Sequence, residues 1–172
     1  MTGSHEVRSA LGALEGVLVE EFRALQAFLA LTRDERRALA EGDLRTLQAL
    51  LPRKEAGQAH LKRLEVARTS ALQAWAQSAS PAELPRTLAE ILPQLEAGVS
   101  RRLASLREGI LTLAAELEDL NRGNQALAAS ALERVAAVRA LVVDLNPPAE
   151  GYQPFRAGGH RAESVLTLEQ WA

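Results

Sequence analysis

The dominant pattern in the sequence is an apolar stripe with three-four spacing that continues from Val99 to Leu145. Apolar residues that recur every three or four positions lie on one face of an α-helix. The stripe comprises Val99, Leu103, Leu106, Ile110, Leu113, Leu117, Leu120, Asn124, Leu127, Ala131, Val135, Val138, Val142 and Leu145, and Asn124 is its only polar member. A helix of this length, about 70 Å at 1.5 Å per residue, cannot bury the stripe against itself. The pattern therefore predicts a last helix that lies along partner helices, from this chain or another, with Leu113 and Leu117 in the core.

Two shorter amphipathic helices precede the long one. The first is predicted from about Glu6 to Glu41, and the second starts at Leu44 and ends before Ser78. Between them, Gly42 suits the left-handed position that ends a helix, and Asp43 can cap the next one. A connection this short makes the two helices antiparallel neighbours. Pro52 is expected to kink the second helix or to restart it, because an interior proline loses a backbone hydrogen bond.

A short helix is predicted before the long one. Ser80, Pro81 and Glu83 have the order of an N-cap, a first-turn proline and a capping box. The helix would run from about residue 81 to 92, and the long helix would begin near Leu95. The long helix is expected to stop at Asn146, before two prolines.

The last 26 residues differ from the rest of the chain. They contain three prolines, three glycines and the aromatic residues Tyr152, Phe155 and Trp171. Their low periodicity predicts a flexible tail. The predicted fold is therefore all-α: an antiparallel bundle of three long helices and one short helix, with an elongated last helix. A helical domain would span residues 1–146, and the tail residues 147–172.

Composition and charge exclude several classes of function. The net charge of −2 gives no general attraction for nucleic acid or for an anionic membrane. The absence of cysteine excludes disulfides, thiolate metal ligands and cysteine nucleophiles. No apolar stretch is long enough to span a membrane, and the first residues do not form a signal peptide. These features predict a cytoplasmic protein.

The side chains that could carry chemistry are scattered. His5, His60 and His160 lie far apart, and none belongs to a pair with metal-ligand spacing. There is no glycine-rich phosphate loop, and adjacent carboxylates such as Glu20 and Glu21 are typical of the polar face of a helix. We therefore expect no metal, no cofactor and no enzymatic activity.

Asn124 is the one polar residue inside the apolar stripe. A buried amide reduces stability unless it is hydrogen-bonded. One interpretation is that Asn124 fixes the register of the helices, as asparagines do in coiled coils. The other is that Asn121 and Asn124 shape the surface that receives a partner. The sequence leaves both open.

The predicted helix lengths leave part of the stripe without a neighbour. The last helix should start near the N-terminal end of the first helix and run alongside it, so its final ten residues or so, about 15 Å, would extend past the Gly42 turn. The apolar residues of this end are Val135, Val138, Leu141, Val142 and Leu145. An exposed apolar strip marks a binding site, and its natural ligand is another amphipathic helix.

The order and spacing of several residues resemble those of FlgN-type flagellar export chaperones. The residues that carry the resemblance are Gly42, Asp43, Leu44, Leu47, Leu50, Leu51, Lys54, Leu61, Leu64 and Glu65 in the first two helices, and Leu120, Asn121, Asn124 and Leu127 in the last. The resemblance covers residues 10–145. Pro52 and the proline-bounded insert at 81–93 depart from the pattern of the family.

The resemblance implies a helical cytoplasmic chaperone that is not an enzyme. Such chaperones bind the hook–filament junction proteins FlgK and FlgL, shield a C-terminal amphipathic helix of that cargo and deliver it to the flagellar type III export gate. The cargo surface would lie toward the end of the last helix and in the segment that follows it. Tyr152 matches a tyrosine that serves docking at the export gate in the family. An alternative role for the tail is a cover over the strip that cargo displaces.

A second hypothesis needs no cargo. The stripe could be buried by self-association, which would make the protein a helical scaffold, either a weak homodimer or a four-helix arrangement.

Overall fold

Four α-helices form the described part of the chain. The structure, a computed structural model, describes residues 2–79 and 87–145, with side chains from His5 onward. The helices are α1 (Thr2–Glu41), α2 (Leu44–Ala79), α3 (Leu88–Ile91) and α4 (Ala97–Leu145), and a 3₁₀ turn at Leu92–Gln94 follows α3. These ranges contain no strand. The prediction of an all-α fold with three long helices and one short helix is confirmed. The predicted range of the short helix, 81–92, is wrong, because Thr87 is extended and α3 begins after it.

The chain divides into two compact units, Met1–Asn124 and Gln125–Ala172. The first unit contains α1, α2, α3 and the first part of α4. The second is described from Gln125 to Leu145, where it is a single stretch of α-helix. The capping box predicted at Ser80 and the tail predicted from residue 147 lie outside the described residues.

The connection between α1 and α2 is a helix stop followed directly by a helix cap. Gly42 has a φ of 70°, and the N–H of Asp43 donates to the carbonyl of Ala38 at 2.9 Å, which closes α1. The carboxylate of Asp43 then accepts the backbone N–H of Thr46 at 3.0 Å and the Thr46 hydroxyl at 2.6 Å. These hydrogen bonds from Thr46 lower the pKa of Asp43. The roles predicted for Gly42 and Asp43 are confirmed.

Pro52 lies inside α2, and the helix continues through it from Leu44 to Ala79. The predicted restart of the helix is therefore wrong. Pro52 and Gln48 are both exposed, so the carbonyl that loses its helical donor lies at the surface, where water can bond to it.

Contacts in the first unit fix the directions of the long helices. Lys54 of α2 contacts Glu35 of α1, and His60 contacts Glu20, so α2 is antiparallel to α1. Successive residues of α4 contact successive residues of α1. They are Arg102 with Glu15, Gly109 with Phe22, Glu116 with Arg33 and Asn124 with Glu35. Helix α4 therefore starts beside the first half of α1 and runs in its direction, as the sequence predicts.

Two glycines allow aromatic rings to approach a neighbouring helix. A Cβ added to Gly57 of α2 would lie 2.6 Å from the ring of Phe28, and one added to Gly109 of α4 would lie 2.8 Å from the ring of Phe22. Since both rings belong to α1, each glycine lets its own helix pack closely against α1.

The core is built from leucine-rich faces of all four helices. Its large apolar members are Leu14, Leu18, Leu25, Phe28 and Leu29 of α1, Leu50, Leu61, Leu64, Leu72 and Trp75 of α2, Leu88 and Ile91 of α3, and Leu103 and Ile110 of α4. Leu113 and Leu117 are only half-buried, so their predicted core positions are wrong. The buried residues in this part of α4 are Ile110 and Ala114.

Glu21 of α1 is a fully buried carboxylate, with 0% of its surface exposed. Neither of its oxygens has a hydrogen-bond partner among the described residues, and the nearest cation, Arg68 Nε, lies 4.0 Å from Oε1. Burial raises the pKa of Glu21, the charge of Arg68 opposes the shift, and the charge of Glu65 adds to it. Because the folded state holds this proton more tightly than the unfolded state, ionised Glu21 lowers stability.

We expect Glu21→Gln to stabilise the protein at pH 8, because the amide carries no charge to desolvate. A raised folded-state pKa means that stability falls as pH rises from the unfolded pKa through the folded one. The difference between the variant and the wild type should therefore shrink as pH falls and vanish below about pH 4, where Glu21 is protonated in both states. Urea unfolding at several pH values measures it, with Glu118→Gln, at an exposed carboxylate on α4, as the control. A difference that did not depend on pH would contradict this account.

Candidate functional site

Side chains from three long helices meet at one buried group of polar atoms. Asn124 of α4 is 4% exposed, and its Nδ2 donates to the carbonyl of Thr32 at 3.0 Å and to Oε2 of Glu35 at 2.8 Å. The same Oε2 accepts from Nζ of Lys54, on α2, at 2.6 Å. We call Thr32, Glu35, Lys54 and Asn124 the polar junction.

The surroundings of the junction fix its orientation. The Thr32 hydroxyl donates to the Phe28 carbonyl at 2.9 Å, and Nζ of Lys54 lies 5.7 Å from the centre of the Phe28 ring, where a cation is attracted to the ring face. Both groups that face the Asn124 amide are acceptors, so its nitrogen must point toward them. Oδ1 of Asn124 has no hydrogen-bond partner among the described residues. Asn121 is half-buried on α4 and is not part of the junction.

Beyond the junction, α4 has an exposed apolar surface. The buried residues of α4 end at Asn124, and every residue from Leu132 to Leu145 is exposed. We call the large apolar side chains of this segment the apolar strip: Leu132, Val135, Val138, Leu141, Val142, Val143 and Leu145, with exposures from 49% to 70%. Elsewhere in the described residues, the exposed large apolar side chains are Leu44, Leu51 and Val66, which lie singly on α2.

The structure places all five strip residues named from the sequence on this exposed surface and adds Leu132 and Val143. Sequence reasoning missed these two because it followed a single row of the stripe. Leu132 precedes Val135 by three residues, and at about 100° per residue Leu132 and Val143 both lie within about 80° of Val135. Helical spacing would therefore have been enough to predict that Leu132 and Val143 belong to the strip.

This arrangement suits binding better than catalysis. Among residues 2–79 and 87–145, no three His, Asp or Glu side chains form a group that could hold a metal ion. No helix in the described part of the chain combines the length and the hydropathy needed to cross a bilayer. What α4 offers a ligand is an apolar surface about 20 Å long, at 1.5 Å per residue over residues 132–145.

Comparison with known proteins identifies the family. The family model described as FlgN protein matches residues 10–154. The chain belongs to the FlgN family. The resemblance drawn from the sequence is thereby confirmed: this is a FlgN-type flagellar chaperone, from a family of chaperones and not of enzymes. No curated protein and no solved structure matches the chain. The matched range includes Tyr152, which lies outside the residues that the structure describes.

We expect Asn124→Leu to raise the free energy of unfolding, by on the order of 1 kcal/mol, and to leave cargo affinity unchanged. The change removes Oδ1 of Asn124, a buried acceptor without a partner. Glu35 still accepts a hydrogen bond from Lys54, and the Thr32 carbonyl still accepts within helix α1. Urea unfolding and peptide titration measure the two effects. Gln125→Leu, an exposed amide outside the junction, is the matched control.

A loss of stability in Asn124→Leu would show that the two hydrogen bonds outweigh the gain in apolar packing. A loss of affinity with stability retained would show instead that Asn124 shapes the surface that receives cargo.

Proposed function

We propose that this protein is a cytoplasmic flagellar export chaperone that captures the C-terminal amphipathic helix of the junction proteins FlgK and FlgL on its apolar strip and delivers them to the type III export gate. The observation that carries the proposal is the exposure of seven large apolar side chains on four consecutive turns of α4. Membership of the FlgN family supports the chaperone class.

The size of the strip suits a helical ligand. Fully burying a valine or leucine side chain contributes about 1.5–3 kcal/mol, so covering seven of them offers on the order of 10 kcal/mol before the loss of translational and rotational freedom is subtracted. An amphipathic helix that presents apolar residues at i, i+3, i+4 and i+7 can cover such a surface along its whole length. A peptide of four or five turns would be enough.

We expect the double variant Val138→Asp, Val142→Asp to weaken capture of FlgK and FlgL C-terminal peptides by at least about 100-fold, because two carboxylates would be desolvated on binding. Its melting temperature should stay within about 3 °C of the wild type, since both side chains are exposed in the free protein. Isothermal titration and thermal unfolding measure the two quantities.

The matched control is Ala126→Asp with Ala129→Asp, which adds the same charges at exposed positions about 120–180° around the same helix from Val138 and Val142. This control should bind like the wild type. Unfolding of the Val138, Val142 variant would contradict the proposal, because it would place those residues in a core. Light scattering at low concentration tests self-association: an obligate oligomer would favour the scaffold hypothesis.

The proposal gives Tyr152 a separate role in docking at the export gate. We therefore expect Tyr152→Ala to leave the affinity for the cargo peptides unchanged and to reduce export of FlgK and FlgL in cells that depend on the variant. Peptide titration and secretion assays separate the two steps, with Phe155→Ala as a control. Tighter peptide binding by Tyr152→Ala would point instead to a cover over the strip, since competition for the strip would be lost.

A further inference from the structure

The charged side chains of residues 132–145 are distributed unevenly around α4. They are Glu133, Arg134, Arg139 and Asp144, and all are exposed. At about 100° per residue, Arg139 lies about 40° from Val135, between the apolar side chains of the strip. Glu133 and Asp144 lie about 160° and 180° from Val135. Arg139 therefore lies within the strip, Arg134 lies at its other edge about 100° from Val135, and Glu133 faces away from it. Asp144 borders the same surface as Arg139, but the structure shows no ion pair between the two side chains.

Arg139 has no carboxylate within reach on its own helix turn. The residues three and four positions away are Val135, Ala136, Val142 and Val143, all of them apolar. The structure shows no ion pair for Arg139 among the described residues. Other arginines of α4, Arg102 and Arg122, each pair with a carboxylate at 3.1 Å or less.

Arg139 also borders a shallow, open part of the α4 surface. This surface is lined by Leu132, Val135, Ala136, Arg139, Ala140, Val143 and Asp144. A ligand seated on the strip would therefore lie against the guanidinium as well as the apolar side chains. Removing a guanidinium from water is unfavourable unless a charged acceptor replaces the water. A carboxylate does so best, because it can accept two parallel N–H bonds from an arginine.

We propose that Arg139 selects the occupant of the strip: an amphipathic helix with an Asp or Glu at the border of its apolar face, placed to meet the guanidinium. This inference rests on the proposed function and narrows it to a class of cargo helix. A purely apolar helix, or one with Lys or Arg at that position, would leave the guanidinium desolvated without a partner and would be rejected.

The same charge distribution argues against a second copy of this chain as the occupant. Arg139 lies close to the middle of the strip, so two strips packed antiparallel about a twofold axis at their centre would bring the two Arg139 side chains together. Glu133, on the opposite side, could not neutralise them. Like charges brought together in a desolvated interface oppose association.

The test uses the full-length protein and two designed helical peptides of about 18 residues with identical apolar faces. One peptide carries Glu at the border position and the other carries Lys. We expect the wild type to bind the Glu peptide at least about tenfold more tightly, Arg139→Glu to reverse the order, and Arg139→Gln to remove the discrimination. Arg122→Glu makes the same charge change at a pair outside the strip and should keep the wild-type order. Arg139 is exposed, so all of these variants should fold.

The FlgK and FlgL C-terminal peptides are titrated in parallel, so that the two proposals can fail separately. If the wild type binds them but Arg139→Glu leaves the preference for Glu over Lys unchanged, the role of Arg139 is overturned and the chaperone proposal stands. If the wild type binds none of the peptides, the proposed function fails and the inference fails with it. If the wild type is a dimer that Arg139→Glu dissociates in light scattering, the occupant is a second copy and the inference is wrong.

Discussion

One carboxylate oxygen, Oε2 of Glu35, links the three long helices. It accepts from Lys54 of α2 and from Asn124 of α4, whose amide also reaches the backbone of α1 at Thr32. Leucine faces can slide past one another by a turn and still exclude water, but this set of bonds is satisfied in one register only. We therefore expect the junction to select which residues of α4 lie in the core. Asn124 is also the last buried residue of that helix.

Residues 125–145 are helical although the part from Leu132 onward is fully exposed. Two properties of the sequence account for this. Seven of these 21 residues are alanine, the best helix former, and the segment continues a helix that has already been nucleated. From Leu132 onward its apolar side chains are exposed. A helix that is stable without packing can keep such side chains available for a ligand.

The sequence predicted the elements better than it predicted their contacts. Gly42 and Asp43 act through bonds between near neighbours, so local chemistry was enough to place the turn. In α4 the predicted stripe included Ile110, which is buried, but Leu113 and Leu117 were expected in the core and are half-buried, while Ala114 is buried instead. Periodicity gives the width of an apolar face, whereas the burial of each residue depends on where the neighbouring helix approaches. The sequence around Lys54 and Glu35 does not indicate that they pair, because the two residues come together only when α2 packs against α1.

Glu21, Asn124 and Arg139 are polar side chains next to apolar ones. Their effects on stability differ because they differ in hydrogen bonding and in exposure. Glu21 is buried without a hydrogen bond among the described residues, so its charge lowers stability. Asn124 is buried with two hydrogen bonds from its amide nitrogen, so its burial lowers stability less. Arg139 is exposed, so its charge has no energetic consequence for the free protein and acquires one only when a ligand excludes water. In a surface otherwise made of interchangeable valines and leucines, such a group is what can distinguish one amphipathic helix from another.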